Sequence, residues 1–467
     1  MTLSAPYNFI PLSDSVYLPK WHTKVSHDIP FKDGFSGSFD LYITAKTPIF
    51  TRDDDTAKDN PTSIQQFLNY EGRPFIKGSS IRGMLREVVK IAAFGKMDTA
   101  DDQHFAFREF SKESGYLEMM KPVFAGWLTP DKQIIPAKVA KIDYADLRSL
   151  QKQRGNNAWQ VNLSMPEKYR RWRGSRETFA QIIDGQIDTF ASLTDSSQPG
   201  AKEGTIVFTG YIQSKKREFF FYDTRPEDKI PVSDEIFERF EKVHRSSQQR
   251  PGMDIAGQGP NEQWAYWKAL HEAGENIPVF YRIRGGQLVD FGLAMMYRLP
   301  SVLGVHGAIA NRSADHLDLT SFDLAELLFG YAADKNNQRD SLKGRVTFSH
   351  AFLEGSPRPL APVSAALQTP KASFYPAYLE QGQSAGGLST WQDKDATIAG
   401  RKRYPARGTI NPNPTLAERD DLNTRFQPLD EGSRFKSRVY FHNLRPFELA
   451  ALLWSFNFGG HIDGLVH

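Results

Sequence analysis

The stretch RPFIKGSSIRGMLREVVKIAAF, residues 73–94, constrains the fold of this chain more than any other. Apolar residues recur in it at helical spacing, at Ile81, Met84, Leu85, Val88 and Ala92. Basic residues recur there every four positions, at Arg82, Arg86 and Lys90, which lines them up along one helix. The pattern predicts an amphipathic helix that buries one stripe and carries a cationic stripe beside it.

The start of this predicted helix has the composition of a phosphate site. Gly78 lets the chain turn, and Ser79 or Ser80 is expected to cap the first backbone N–H groups. Gly83 in the first turns costs about 1 kcal/mol against alanine, and close approach of another backbone would explain it. A helix N-terminus with arginines nearby binds phosphate well. The alternative is a core helix whose basic face is simply solvated.

Composition excludes several classes of protein. The chain of 467 residues suits two or three domains, or one domain with a large insertion. It has no cysteine, so disulfides, Cys-ligated metal and thiol catalysis are excluded. We expect neither a signal peptide nor a membrane span, and a cytoplasmic protein fits. The net charge of only +3 does not indicate a nucleic-acid protein, so the clustering of basic residues matters more.

An acidic loop precedes the helix. Alternating residues in 37–45 predict a strand, and the loop 51–72 then carries four aspartates, at Asp53, Asp54, Asp55 and Asp59. Such a loop is either solvated or holds a divalent cation near a bound phosphate. The residues alone favour the solvated loop.

Two runs mix basic and aromatic residues. The first is KYRRWR, with Arg170, Arg171 and Arg173, and the second is RKRY, with Arg401, Lys402 and Arg403. Arginine interleaved with Tyr and Trp suits phosphate contact with base stacking. The first run equally suits a surface helix anchored by its aromatic residues, and the second a solvated or disordered segment.

The remaining pattern suggests where regular structure lies. We expect residues 96–200 to be largely irregular, and a hairpin at 205–222. Helices are expected near 233–246, 263–273 and 320–330, with a strand at 344–353. Residues 354–434 are rich in Pro, Gly and charge and predict a long irregular segment. A strand at 438–441 and a helix that begins at Pro446 follow.

Several of these stretches together resemble the RAMP superfamily (repeat-associated mysterious proteins), and within it the backbone subunit of type III CRISPR effector complexes. PFIKGSSIRGMLR, residues 74–86, resembles the family's helix start P-x-I-P-G-S-S-[IL]-[RK]-G-x-[LM]-R. The stretch 324–353 is similar to the family's L-F-G…G-R-[VL]-x-[FV]-x-D-A, with His350 in place of the usual Asp. AGRKRYP at 399–405 and the stretch 438–460 resemble its later strand and second helix. KDNP at 58–61 resembles the loop whose aspartate cuts target RNA.

The resemblance implies an α+β fold. Its core would be RRM-like (ferredoxin-like), with a large insertion and a long irregular segment before the last strand–helix unit. Residues 1–95 would form an N-terminal arm and the first half of this core, 96–319 the insertion, and 320–467 the second half. The family carries a final strand after its second helix, of which only the glycine-bearing start is present here. We therefore expect further chain, or another chain, to complete the sheet.

The resemblance also implies a function. The protein would be a subunit of an antiviral ribonucleoprotein that holds guide RNA by its phosphates, together with other CRISPR effector subunits. The matching helix-start positions are Lys77, Gly78, Ser79, Ser80, Arg82 and Arg86. Target single-stranded RNA would be cleaved by an endoribonuclease activity in which Asp59 holds Mg²⁺ or Mn²⁺, with Asp53, Asp54 and Asp55 as rivals.

Three alternatives stay open. The subunit could be a structural RNA-binding protein of the same complex without catalysis. It could be a guide-RNA-processing endonuclease, for which His461 is a candidate acid–base residue. Finally, it could be a scaffold outside nucleic-acid biology, whose basic stripes stay solvated.

Overall fold

A computed structural model of the chain describes most of its residues and divides it into two compact units. The described residues are 6–52, 64–110, 114–186, 188–194, 196, 198–211, 215–244, 261–333, 340–366, 371–382, 388–405, 416 and 423–460. The first unit comprises Met1–Asp102, Val305–Gln383 and Lys394–His467, and the second comprises Gln103–Gly304 and Ser384–Asp393.

The strands are numbered here in chain order. They are β1 (Asn8–Ile10), β2 (Phe35–Thr44), β3 (Asn69–Tyr70), β4 (Arg73–Ile76), β5 (Ala106–Phe107), β6 (Phe124–Leu128), β7 (Gln133–Asp143), β8 (Glu177–Asp184), β9 (Thr189–Thr194), β10 (Lys202–Val207), β11 (Arg217–Tyr222), β12 (Ile230–Pro231), β13 (Ile277–Arg284), β14 (Gln287–Gly292), β15 (Leu299–Pro300), β16 (Val346–Phe348), β17 (Ala351–Leu353), β18 (Val363–Ala366), β19 (Arg401–Arg403), β20 (Asn423–Phe426) and β21 (Arg434–Leu444).

The α-helices are numbered in the same way. They are α1 (Gly78–Ala92), α2 (Tyr116–Met119), α3 (Tyr144–Gln153), α4 (Met165–Arg171), α5 (Asp234–Val243), α6 (Glu262–Glu272), α7 (Val305–Ala310), α8 (Leu324–Phe329), α9 (Tyr375–Tyr378) and α10 (Pro446–Asn457). Mixed helices and largely antiparallel sheets make the protein α+β, which confirms the predicted class.

The first unit is built on one antiparallel sheet. Strand β21 is central, because it pairs with β2 on one side and with β16 and β17 on the other. The sheet continues from β17 to β4 and β3. Helices α1, α8 and α10 contribute Leu85, Leu328 and Leu452 to the core on one face of this sheet. Their burial is the main source of stability here, at roughly 25 cal/mol per Å² of apolar surface.

Local sequence explains where these helices begin and end. Asp323 and Glu326 form a capping box at the start of α8, as their spacing favours. Gly330 ends α8 with a φ of 86°, which a side chain would resist. Pro446 occupies the first turn of α10, as predicted.

One predicted strand of this sheet is interrupted. The sequence indicated a continuous strand at 344–353, but the structure has β16 and β17 with Ser349 and His350 between them. Ser349 still bonds to the central strand, because its Oγ accepts from the Arg438 N–H at 2.8 Å and its backbone N–H donates to the Arg438 carbonyl at 3.0 Å. The strand geometry is therefore interrupted locally, while the segment stays hydrogen-bonded to the sheet.

The second unit is far more regular than its sequence suggested. The expectation of largely irregular structure at 96–200 is wrong, because β5 to β9 and α2 to α4 lie there. Strands β7, β11, β10, β8 and β9 pair in a closed ring, and β6, β13 and β14 extend the sheet from β7. Side chains such as Ile134, Phe220 and Trp264 fill its core. Pairing between segments distant in the sequence stabilises these strands, and local sequence patterns do not show such pairing.

Other sequence predictions agree with the structure. The hairpin of β10 and β11 and the helices α5 and α6 lie where the pattern placed them. Ser233 caps α5, since its side chain accepts a hydrogen bond from the Ile236 N–H. Among the described residues, no helix has the length and apolar character needed to cross a membrane.

Candidate nucleic-acid interface

The first turn of α1 is only partly exposed. The helix begins at Gly78, which is buried and whose N–H donates to Nδ1 of His350 at 3.1 Å, and the N-cap residue Lys77 makes no side-chain cap hydrogen bond. The predicted capping by Ser79 or Ser80 is therefore wrong: both residues lie inside the first turn, where they are exposed. The Gly78, Ser80 and Ile81 amides already have acceptors, so this turn offers a ligand the exposed hydroxyls of Ser79 and Ser80.

Gly78 rather than Gly83 is the glycine that another backbone approaches. A Cβ on Gly78 would lie 2.5 Å from the carbonyl oxygen of Phe348 and 2.7 Å from that of Ser349. Nothing lies within 4 Å of the corresponding position on Gly83, so the close contact expected there is absent. The backbone at the break between β16 and β17 can therefore pack directly against the start of α1, because Gly78 has no side chain.

The basic stripe of α1 divides into two parts. Lys90 is 1% exposed and its Nζ lies 3.4 Å from Asp98, so the third residue of the predicted stripe belongs to the interior. Arg82 and Arg86 are half-buried. Arg82 donates to the Phe329 carbonyl, and burial lowers its pKa, with the charge of Arg86 as the second cause. Two guanidinium groups that repel each other favour an anion between or beside them.

Arg86 itself has no hydrogen-bond or ion-pair partner among the residues that the structure describes. The carboxylate on the next position, Glu87, lies 3.5 Å from Arg401 instead. The guanidinium of Arg86 is therefore available to bind an anionic group that is not part of the first unit.

The exposed face of β21 carries a basic and aromatic row that the sequence reasoning missed. Alternate residues of this strand are exposed, and they are Arg434, Lys436, Arg438, Tyr440 and His442. Only 438–441 was predicted as strand, so most of the row fell outside it. The signal was present, because in RFKSRVYFH the basic residues and Tyr440 alternate with Phe435, Ser437, Val439 and Phe441.

Strand β2 continues this face. Tyr42 lies opposite Lys436, and the guanidinium of Arg434 lies 4.4 Å from the centre of the Tyr42 ring. Asp40 contacts Lys436 and Arg438 at 3.0 Å each. Its hydrogen bond with Lys436 is the main cause that lowers the pKa of Asp40. The single carboxylate of Asp40 thus forms ion pairs with two cations, so the surface keeps a net positive charge. The half-exposed rings of Tyr42 and Tyr440 lie on the same surface.

The helix start and the basic sheet face meet at Ser349. The backbone of Ser349 touches Gly78, and its hydroxyl accepts from the Arg438 N–H. Ser437 donates to the Ser349 carbonyl at 2.8 Å, which fixes the same junction from the buried side. Ser349 therefore links the start of α1 to the backbone of β21 beside Arg438.

The predicted catalytic loop lies outside the described residues, since Asp53, Asp54, Asp55 and Asp59 fall within 53–63. The structure does place both ends of that loop. Arg52 bridges to Phe67, and the Thr51 hydroxyl donates to the Phe75 carbonyl at 3.3 Å. Strand β4, which holds Phe75, leads directly into α1. Among the described residues, no group of three His, Asp or Glu side chains could hold a metal ion. His461 also lies outside the described residues.

The first basic–aromatic run lies in the second unit, and its aromatic residues belong to the core. Tyr169 packs on Trp267 with ring centres 4.8 Å apart, and Trp172 is half-buried against Phe208. Lys168 is wholly buried and 2.7 Å from Glu218. The structure thus favours the anchored surface helix for this run.

The arginines of that run remain on the surface. Arg170 and Arg171 share Glu167, at 3.7 Å and 2.8 Å. Arg173 is also exposed, and its NH1 group donates to the Gly155 carbonyl at 3.3 Å. Phosphate contact by these arginines stays a prediction.

The second run lies in the first unit, where β19 pairs with β1 of the N-terminal arm. Arg401 is largely buried and donates to the carbonyls of Gly95 and Lys96 at 2.9 Å and 2.6 Å. Lys402 is exposed, with its Nζ within 6 Å of the ring centres of Tyr7, Tyr378 and Tyr404. Arg403 is half-buried beside it. Arg401 holds the strand in place, and the neighbouring Lys402 and Arg403 keep their charge near the surface.

Comparison with known protein families gives one match. The model of the RAMP superfamily matches residues 42–268, which supports membership in that superfamily. The matched range contains the helix start at 77–86 and the arginines at 170–173. The later stretches that resemble the family, at 324–353, 399–405 and 438–460, lie outside it. A comparison with curated proteins found no match.

Proposed function

We propose that this protein is an RNA-binding subunit of a type III CRISPR effector complex and that it holds guide RNA along its phosphate backbone. The superfamily match suggests a CRISPR-associated RNA-binding protein, and the type III assignment rests on the resemblance of the helix start and acidic loop. The partners would be guide RNA, target single-stranded RNA and the other subunits of the complex.

The observation that carries this proposal is the junction at Ser349. It links the start of α1, the helix that carries Arg82 and Arg86, to β21, the strand that carries the basic row. A nucleic-acid strand needs donors for phosphate and flat rings for bases. Here the serine hydroxyls and guanidinium groups of α1 supply the first, and Tyr42 and Tyr440 supply the second.

The proposed core is RRM-like. Strand β2, helix α1, the β16–β17 pair, strand β21 and helix α10 follow one another as β-α-β-β-α. Their antiparallel order, with β21 between β2 and β16–β17, is the order of the first three strands of a ferredoxin-like sheet. In this proposal β2 is the edge that a fourth strand would pair with.

We also propose that the acidic loop cleaves target RNA. Both ends of the loop are held beside β4 and hence near the helix start, which supports placing a carboxylate close to bound phosphate. Asp59, with Asp53, Asp54 and Asp55 as alternatives, would hold a divalent cation there. The metal would neutralise developing charge on the scissile phosphate.

The RNA-binding proposal is tested in the assembled complex. The complex is purified with wild-type protein or with Arg82→Glu/Arg86→Glu, and the associated RNA is sized. We expect RNA of discrete length with the wild type and its loss with the variant, because two cations become anions at the phosphate site. Glu235→Lys/Glu238→Lys on the surface of α5 changes charge as much and is expected to keep the RNA. A wild-type complex that assembles without RNA would contradict the proposal.

Cleavage is tested separately in the same complex. We expect Asp59→Ala to abolish the metal-dependent cutting of target RNA while RNA of discrete length still co-purifies. If the single variant still cuts, the Asp53→Ala/Asp54→Ala/Asp55→Ala variant tests the rivals. Cutting that survives both changes would leave a structural, non-catalytic subunit as the function.

A further inference from the structure

A half-open cavity with several polar side chains lies in the second unit. It has a volume of about 540 Å³ and is lined by the second half of α3 and by the segment that follows it. This volume falls within the roughly 300–1,000 Å³ that is typical of small-molecule sites.

Two cations without acidic partners line this cavity. Arg148 and Lys152 stand four residues apart on α3, so they project from the same side of the helix. Both are exposed, and neither has a hydrogen-bond or ion-pair partner among the described residues. Asp143, at the start of α3, is engaged by Arg217 at 2.9 Å. The cavity therefore presents uncompensated positive charge.

The lining of the cavity also carries side-chain amides, which both donate and accept hydrogen bonds. They are Asn156, Asn157, Gln160 and Asn162. Trp159 lies among them, only 3% exposed, and its indole N–H is buried without a hydrogen-bond partner among the described residues. A site for a carboxylate would need donors alone, whereas paired donors and acceptors suit a nucleobase edge.

One of these amides is held in place before any ligand arrives. Asn156 donates through Nδ2 to the Arg171 carbonyl at 2.7 Å and also to Gln151. Gln151 in turn donates to the Arg173 carbonyl at 3.1 Å and accepts from the Arg173 N–H at 3.1 Å. These bonds tie the end of α3 to the basic run at the end of α4, and a preorganised Asn156 reduces the entropy lost on binding.

From this geometry we infer that the cavity is a nucleotide site. Arg148 and Lys152 hold the phosphate, and the exposed amides of Asn157, Gln160 and Asn162 contact the base or ribose. The nucleotide is either one residue of a bound RNA strand or a free nucleotide. In the first case the inference rests on the proposed function, and in the second it stands without it.

The test uses the full-length protein and three probes: AMP, adenosine and a labelled single-stranded RNA. Arg148→Ala/Lys152→Ala removes the two cavity cations. Lys138→Ala/Lys202→Ala is the control, because it removes two exposed cations that share Asp223 elsewhere in the same unit. Thermal melting confirms that each variant is folded.

We expect wild type and control to bind AMP saturably and to bind adenosine much more weakly. The cavity variant should lose about tenfold or more in AMP affinity, because it loses the charge-assisted hydrogen bonds to the phosphate. If RNA also occupies the cavity, the variant binds RNA more weakly. The slope of log affinity against log salt concentration then decreases in magnitude by roughly one to two. If RNA affinity is unchanged while AMP binding is lost, the cavity takes free nucleotide.

Two outcomes overturn the inference: wild type does not bind AMP, or the cavity variant binds AMP as well as the control does. A wild-type protein that binds AMP in the cavity but fails to retain RNA in its complex would contradict the proposed function alone. The two failures are therefore distinguishable.

Discussion

The backbone N–H of Gly78 donates a hydrogen bond to Nδ1 of His350 across 3.1 Å. This bond joins the first residue of α1 to the break between β16 and β17. His350 stands where the resembling family usually has Asp, and its ring nitrogen here acts as the acceptor that a carboxylate oxygen would be. The helix start is thereby held against the sheet by an acceptor outside the helix.

Gly78→Ala is expected to destabilise the first unit. Its Cβ would meet two backbone carbonyl oxygens at 2.5 Å and 2.7 Å, which cannot move independently of β16. We expect a loss of about 1–3 kcal/mol in the free energy of unfolding, as for other overpacked sites.

The matched control for that change is Gly83→Ala in the same helix. Its Cβ meets nothing within 4 Å, so the gain in helix propensity should stabilise the protein by about 0.5–1 kcal/mol. Urea unfolding of both variants gives the comparison, and equal effects of the two changes would contradict the close-approach role of Gly78.

Glu448→Gln is expected to destabilise the first unit strongly. Glu448 and Arg345 form a two-pronged ion pair in which both side chains are 0% exposed. Removing the negative charge leaves a buried guanidinium without its counter-charge, at a cost of about 3–5 kcal/mol. Calorimetry or urea unfolding measures this loss.

The exposed pair Arg445–Asp33 offers a contrast, because Asp33→Asn removes a carboxylate from a solvated arginine. We expect this change to have little effect on stability. If both substitutions change the free energy of unfolding only slightly, the buried Arg345–Glu448 pair does not stabilise the position of α10.

Tyr440→Ala should weaken RNA binding without unfolding the protein. The ring is 50% exposed on the basic face of β21, where it can stack on a base. Loss of one stacking ring costs about 1–3 kcal/mol in binding. Tyr70→Ala removes a 61% exposed ring from β3, three strands further along the sheet, and should leave RNA affinity unchanged. Fluorescence anisotropy with labelled RNA distinguishes the two variants, and equal losses would argue against stacking on Tyr440.

Because of His244, the free energy of unfolding should decrease as the pH falls. Burial lowers the pKa of His244 from 6.5 to about 4, although its hydrogen bond to the Phe240 carbonyl acts in the opposite direction. Between these values the unfolded chain binds the proton and the folded one does not. The free energy of unfolding is therefore highest above pH 6.5 and decreases as the pH falls towards 4.

Urea midpoints of wild type and His244→Gln between pH 7.5 and 4 test this expectation. The variant lacks the titrating ring, so its midpoint should depend less on pH over that interval. Identical slopes for the two proteins would show that His244 is not responsible.

The candidate site was only partly predictable from the sequence. The motif at 77–86 marked the helix start correctly, because its apolar spacing and glycine are local features. The buried state of Lys90 was not predictable, since an i+4 pattern cannot show that Asp98 lies beside it. The basic row of β21 was missed because the strand was predicted too short, although its alternation was visible.

The sequence by itself determined the elements whose signals are short-range. These include the apolar stripes of α1 and α8, the capping box at Asp323, Pro446 at the start of α10 and the cysteine-free composition. Tertiary structure decided which of the basic and aromatic residues face solvent. It buried Tyr169 and Arg401, and brought Gly78 to Ser349 across more than half of the chain. The physical reason is that such contacts depend on strand pairing between distant segments, which no local spacing encodes.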